Sequence, residues 1–141
     1  MDKPKDIFKK HQAQTFPFPS CIEIESANGS YITDVNGKQY LDFVAGVSAC
    51  TLGHSNPIII DAVKEQLDKY THVMVYGEFL QSPQYKLAQL LADNLPKSLS
   101  TTYFVNSGAE AIEGAMKLAK RSTGRPEIIS CKDSYHGSTQ G

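Results

Sequence analysis

From Ile22 the chain alternates apolar and polar residues, Ile22-Glu23-Ile24-Glu25, the period of a strand with one face covered. Asn28-Gly29 and Asn36-Gly37, pairs favoured in tight hairpin turns, flank Tyr31-Ile32-Thr33, and Lys38-Gln39-Tyr40-Leu41-Asp42 supplies a third strand. The pattern predicts a small antiparallel meander over residues 22–42, forming a lobe of its own. Residues 46–56 are rich in small side chains and lack a sustained period, which reads as an ordered loop. The period then becomes helical. Asn56 suits an N-cap, Pro57 the first helical position, and Ile59, Ala62, Val63 and Leu67 make one apolar stripe. Ser82-Pro83 repeats that start signal; Leu87, Leu90 and Leu91 give the next helix a buried face, and Pro96 stops it. A third helix is predicted over about residues 109–121, with Ala111, Ile112, Ala115, Met116 and Ala119 on one side and Gly124 as its C-terminal cap.

The start of that third helix carries the strongest chemical signal. Phe104-Val105 reads as the end of a buried strand, Asn106-Ser107-Gly108 as a turn of small residues, and Ala109-Glu110-Ala111 as an opening helix. Free backbone N–H groups and the positive end of the helix dipole converge at such a start, and Gly108 and Ala109 leave room for an anion. A second predicted strand, Glu127-Ile128-Ile129-Ser130, leads to a loop bearing Tyr135-His136-Gly137. Two parallel strands joined by a right-handed crossover end at the same sheet edge, which is where ligands of open α/β sheets bind. Ser107, Gly108 and Ala109 could then grip a phosphate while Tyr135 lays its ring on a planar cofactor. A plainer reading stands beside this one. Ser107-x-x-Glu110 is also a capping box, Tyr135 fits a half-buried core aromatic, and His136 fits a hydrogen-bonded loop histidine.

Composition narrows the classes. At 141 residues the chain could bury a core and make one domain. A formal net charge of −1 with scattered Lys and Arg gives no support to a nucleic-acid partner. The N-terminus lacks the apolar run of a secretory signal and no stretch approaches membrane-spanning length, so a cytoplasmic location without membrane contact is expected. Cys21, Cys50 and Cys131 are far apart and read as buried free thiols. Neither the Gly-x-Gly-x-x-Gly nor the Gly-x-x-x-x-Gly-Lys-Ser/Thr phosphate motif occurs, and His11, His54, His72 and His136 show no metal-ligand spacing, so no metal is expected.

With these residues in view the chain resembles the N-terminal part of class III (subgroup II) pyridoxal-phosphate aminotransferases, the group of acetylornithine, ornithine and 4-aminobutyrate aminotransferases. The resemblance is carried by Asp34-Val35-Asn36-Gly37-Lys38-Gln39-Tyr40-Leu41-Asp42, Leu52-Gly53-His54, Asn106-Ser107-Gly108-Ala109-Glu110-Ala111 and Tyr135-His136-Gly137, in the family's order. It implies an α/β, aspartate-aminotransferase-like architecture (PLP fold type I), with residues 1–55 from the small lobe and 56–141 from the first part of the large cofactor domain. It implies that Ser107, Gly108 and Ala109 hold the phosphate of pyridoxal 5'-phosphate, that Tyr135 stacks on its ring with His136 beside it, and that Val47 lines the substrate pocket. The implied reaction passes an amino group from an amine or amino acid to a 2-oxo acid, in a homodimer, with the donor left open. Asn56 departs from the histidine that many relatives carry before the proline, and a helix cap accepts either. The family's Schiff-base lysine and the aspartate that pairs with the pyridine nitrogen are expected beyond Gly141, so no catalytic residue falls in this stretch, which alone is not expected to be active. Lys117, Lys120 and Lys132 read as surface charges. Two alternatives stay open: an aminomutase or racemase of the same family, and a truncated, non-catalytic unit that binds a phosphate or a partner subunit.

Overall fold

The alternating segment folds as expected in the computed structural model, which describes residues 3–74 and 76–140. Three antiparallel strands, β1 (Ile24–Asn28), β2 (Tyr31–Asp34) and β3 (Gln39–Leu41), lie in the order β1-β2-β3. Register is set by the turns: Asn28 faces Tyr31 across the first hairpin and Thr33 faces Gln39 next to the second. Gly29 and Gly37 supply the left-handed turn conformations, at φ 53° and 79°.

The second hairpin is built on Asp34, the buried polar residue of the described chain at 7 % exposure. Its Oδ1 accepts the backbone N–H groups of Asn36 (2.9 Å) and Lys38 (3.0 Å), and its Oδ2 accepts the Tyr40 hydroxyl at 3.0 Å. Burial pushes this carboxyl's pKa up, but the Lys38 N–H, the Tyr40 hydroxyl, the Asn36 N–H and the Lys38 charge outweigh it and hold the group below its ordinary value.

The described residues also form five helical elements: α1 (Pro4–His11), the single turn α2 (Ala45–Ser48), α3 (Pro57–Lys69), α4 (Ser82–Asn94) and α5 (Gly108–Thr123). The first went unpredicted, although Pro4 in its first turn, Asp6 near its N-terminus and Lys9, Lys10 and His11 in its last turn all favour it. In α3, Asn56 caps through its side chain, which accepts the Ile58 N–H at 3.0 Å. In α4, Gln81 rather than Ser82 is the N-cap, because Ser82 and Pro83 have already entered the helix. Helix α5 starts at the predicted seat, with Ser107 as N-cap, and ends on Gly124 at φ 69°. The turn α2 is left-handed: Ala45, Gly46, Val47 and Ser48 have φ of 49°, 60°, 56° and 69°. For L-residues that conformation costs about 1–2 kcal/mol each, most awkwardly for β-branched Val47.

The chain divides into two compact units, Met1–Val73 and Met74–Gly141. Met1, Asp2, Val75 and Gly141, and with them the ends of the two lobes expected from the sequence, lie outside the described residues.

Three expectations are corrected. Phe104-Val105 and Glu127-Ile128-Ile129-Ser130 are not hydrogen-bonded as strands, because a ladder needs a neighbour and none of the described residues supplies one. The chain buries no apolar core: among the described residues no apolar side chain is buried, and the stripes of α3 and α4 are open, with Val63 50 % and Leu90 59 % exposed. The free cysteines follow the same rule, since Cys21 and Cys50 are half-buried and Cys131 is exposed.

Candidate functional site

The first turn of α5 is capped from both sides. Ser107 Oγ accepts the Glu110 N–H at 3.2 Å, and Glu110 Oε2 accepts the Asn106 N–H at 2.7 Å. This is the predicted capping box, shifted by one residue on the return arm. The backbone N–H groups of Gly108 and Ala109 have no partner among the described residues. Since the Ser107 oxygen accepts from Glu110, its own hydroxyl proton is still available to donate. Capping and anion seating therefore use different atoms of the same turn, and one does not exclude the other. A Cβ at Gly108 would meet nothing within 4 Å, so the approach to these donors is open.

The loop bearing Tyr135-His136-Gly137 comes to this same turn, although the two predicted strands do not pair. Gly137, at φ 108°, packs directly on Ala109: an ideal Cβ there would lie 2.6 Å from Ala109 Cβ and 2.8 Å from its Cα. Glu113, one turn along α5, accepts the Thr139 hydroxyl at 2.5 Å and the Gln140 N–H at 2.8 Å. Nothing in the sequence signalled this clasp, because a contact across 26 residues leaves no local pattern. Tyr135 is 82 % exposed, with its hydroxyl 3.2 Å from Ser138 Oγ and its ring faces free. That overturns its reading as a half-buried core aromatic. His136 is half-buried and its Nε2 is a buried nitrogen with no hydrogen-bond partner among the described residues. It lines a cavity with Ile112 and Met116 of α5 and with Ile129 and Cys131. Among the described residues, then, the hydrogen-bonded loop histidine is not what forms.

Val47 belongs to the first unit, where it is 87 % exposed on the left-handed turn α2. That turn is tethered by Asp42. The Asp42 Oδ1 accepts the N–H groups of Val44 (2.9 Å) and Ala45 (3.0 Å), and its Oδ2 lies 2.7 Å from His54 Nε2. An ionised carboxylate only accepts, so Nε2 carries the proton in this pair. The His54 hydrogen bond is the main cause that holds the Asp42 pKa below its ordinary value, reinforced by the Ala45 and Val44 N–H groups against an opposing desolvation. His54 is itself pinned to the first hairpin through two backbone hydrogen bonds with Gly29, at 3.0 and 2.8 Å. Gly53 makes this approach possible, because a Cβ there would sit 3.3 Å from Gly29 Cα. The Leu52-Gly53-His54 motif thus has a structural job within the lobe.

The Tyr135-His136-Gly137 loop thus meets the first turn of α5 through Gly137 and Ala109, next to two backbone N–H groups without a partner among the described residues. The sequence profile described as Aminotransferase class-III matches residues 12–141. The chain belongs to that family. It is 43% identical over 120 residues to the acetylornithine aminotransferase of Bacillus anthracis, a match covering 85% of this chain and 30% of the relative. Among solved structures, an adenosylmethionine-8-amino-7-oxononanoate aminotransferase from Methanocaldococcus jannaschii superposes with a TM-score of 0.85 at 32% identity, over 97% of this chain and 34% of that one. A taurine:2-oxoglutarate aminotransferase from Bifidobacterium kashiwanohense, solved with PLP and glutamate, superposes at 0.82 with 34% identity, over 94% of this chain and 30% of that one. The chain thus spans about a third of the length of these relatives, and its architecture is the N-terminal part of PLP fold type I. No helix among its described residues is long and apolar enough to cross a membrane.

Proposed function

We propose that the intact protein transfers an amino group from an amine or amino acid to a 2-oxo acid with pyridoxal 5'-phosphate as cofactor. The observation that carries this reading is the pairing of open N–H donors at the α5 N-terminus with the Tyr135-His136-Gly137 loop packed on Ala109. In this reading the N–H groups of Gly108 and Ala109 and the Ser107 hydroxyl bind the phosphate, aided by the positive end of α5. Tyr135 offers an exposed ring for stacking, with His136 beside it as support. Bound there, the cofactor supplies an electron sink at the reacting carbon. The chain's own residues seat and orient it, while Val47 shapes the space for the amino donor.

Residues 1–55 act as the N-terminal segment of the small lobe and residues 56–141 as the first part of the large cofactor domain in this reading. The exposed apolar faces of α3 and α4 suit a fold whose covering elements come from outside the described residues. We further infer a cytoplasmic homodimer, as the resemblance to the family implies.

Several relatives are named acetylornithine aminotransferases, so N-acetylornithine is the donor to try first. The full-length protein, loaded with pyridoxal phosphate and given N-acetylornithine with 2-oxoglutarate, is expected to form glutamate. Binding of the cofactor with no amino transfer from any of a panel of amines and amino acids would overturn the reading.

A further inference from the structure

The geometry points to Asp42 and His54 as a positioning pair that sets the left-handed turn α2 and thereby fixes Val47 against the amino donor. The inference rests on the proposed role of Val47 in the substrate pocket. Its basis is the way one carboxylate is shared: Asp42 holds the two N–H groups that enter the turn, at Val44 and Ala45, and the His54 imidazole on its other oxygen. The turn needs such a tether. Three of its four residues are L-amino acids at positive φ, and Val47 is β-branched, so the sequence of the turn does not favour the conformation it adopts. Around α2 the backbone bonds are uneven: Cys50 N–H to Ala45 O is 2.9 Å, but Ala49 N–H to Gly46 O is stretched to 3.4 Å.

The far end of the tether is rigid. His54 exchanges both backbone hydrogen bonds with Gly29 at the tip of the first hairpin, and Ser55 Oγ donates to Ala27 O at 2.8 Å. The imidazole is therefore referenced to the sheet, and Asp42, just past β3, is referenced to the same sheet through its N–H bond to Ser30 O at 2.9 Å. Between these two points the carboxylate holds the entry to the turn. Removing the imidazole leaves the N–H acceptor intact but lets the carboxylate swing, which shifts Val47. Such a change acts on donor recognition first.

The test uses the full-length, cofactor-loaded protein with its amino donor and three variants. His54→Ala is expected to raise the donor KM about tenfold with kcat changed less than about twofold, the pattern of a binding interaction lost in ground and transition states alike. Pyridoxal phosphate retention in equilibrium dialysis should stay at the parent's value. His54→Gln, which keeps an N–H donor near the Nε2 position, should restore most of the KM. Val47→Ala tests the underlying reading: if it leaves the donor KM unchanged, Val47 is not a pocket residue and the inference falls with it. If Val47→Ala shifts KM while His54→Ala does not, the pocket reading stands and the positioning pair is wrong. Loss of kcat and of cofactor retention together in His54→Ala would also overturn the inference, because the pair would then be a general structural element. Should His54→Ala fail to fold, His54→Phe, which keeps a ring but no N–H donor, takes its place, and a donor KM within about twofold of the parent's would overturn the inference.

Discussion

Gly137 and Ala109 touch backbone to side chain: a Cβ on Gly137 would lie 2.6 Å from Ala109 Cβ, closer than two such atoms can approach. This contact joins the loop of Tyr135 to the first turn of α5. It predicts that Gly137→Ala displaces the loop and weakens pyridoxal phosphate binding in the full-length protein, at about 1–3 kcal/mol for the overpacking. The φ of 108° adds backbone strain that any side chain would feel. The steric share can be isolated. Adding Ala109→Gly to Gly137→Ala should recover part of the lost affinity in equilibrium dialysis, and no recovery would show that the contact with the Ala109 Cα at 2.8 Å and the backbone conformation account for the loss.

Tyr135→Ala is expected to lower cofactor affinity by about 1 kcal/mol, or about fivefold, through loss of a stacking face. Because the side chain is 82 % exposed, folding stability should change little. Urea unfolding of the unloaded variant checks the second half; equal affinity in variant and parent would remove Tyr135 from the site.

Local features were legible and long-range ones were not. The turns at Gly29 and Gly37, the Asn56 cap and the Gly124 stop are short-range rules, and each forms as the sequence predicts. The capped helix start at Ser107 was visible for the same reason, since a capping box is a local signature. The strands at residues 104–105 and 127–130 were read from apolar runs, but a strand exists only with a partner, and sequence alone does not say whether that partner is at hand. The apolar stripes of α3 and α4 predicted burial on the same assumption. The Glu113 clasp lies outside any motif, and although Asp42 and His54 each fall within one, their pairing joins segments that only folding brings together.

Acid should loosen the meander from Asp34 and Asp42 outward. Both carboxyls are held below their ordinary value near 3.8, so each contributes stability that is complete above that value and is lost as pH falls through the lower folded value. In the full-length protein the urea midpoint is expected to fall as pH drops below about 4. Asp34→Asn should be less stable than the parent at neutral pH, because it gives up the charge that the Lys38 and Asn36 N–H groups and the Tyr40 hydroxyl stabilise. Its further loss on acidification should be smaller than the parent's. An unchanged acid slope would mean that other carboxylates govern the transition.

Gly108 and Ser107 separate two ways of holding a phosphate. Space around a Gly108 Cβ is open and its φ is not in the left-handed region, so Gly108→Val should leave the unloaded helix start intact and act only on what binds there. The added side chain would stand in front of the Gly108 and Ala109 N–H donors and hinder the phosphate. Ser107→Ala does the opposite. It removes the cap on the Glu110 N–H, lowering stability by about 1 kcal/mol, and takes away one hydroxyl donor while leaving the backbone donors in place. Titration of the two full-length variants with pyridoxal phosphate, alongside urea unfolding of the unloaded proteins, should therefore give crossed results. Gly108→Val is expected to be the worse binder and Ser107→Ala the less stable fold. If Ser107→Ala bound more weakly while both variants remained folded, the hydroxyl would lead the binding and the backbone cradle would be wrong.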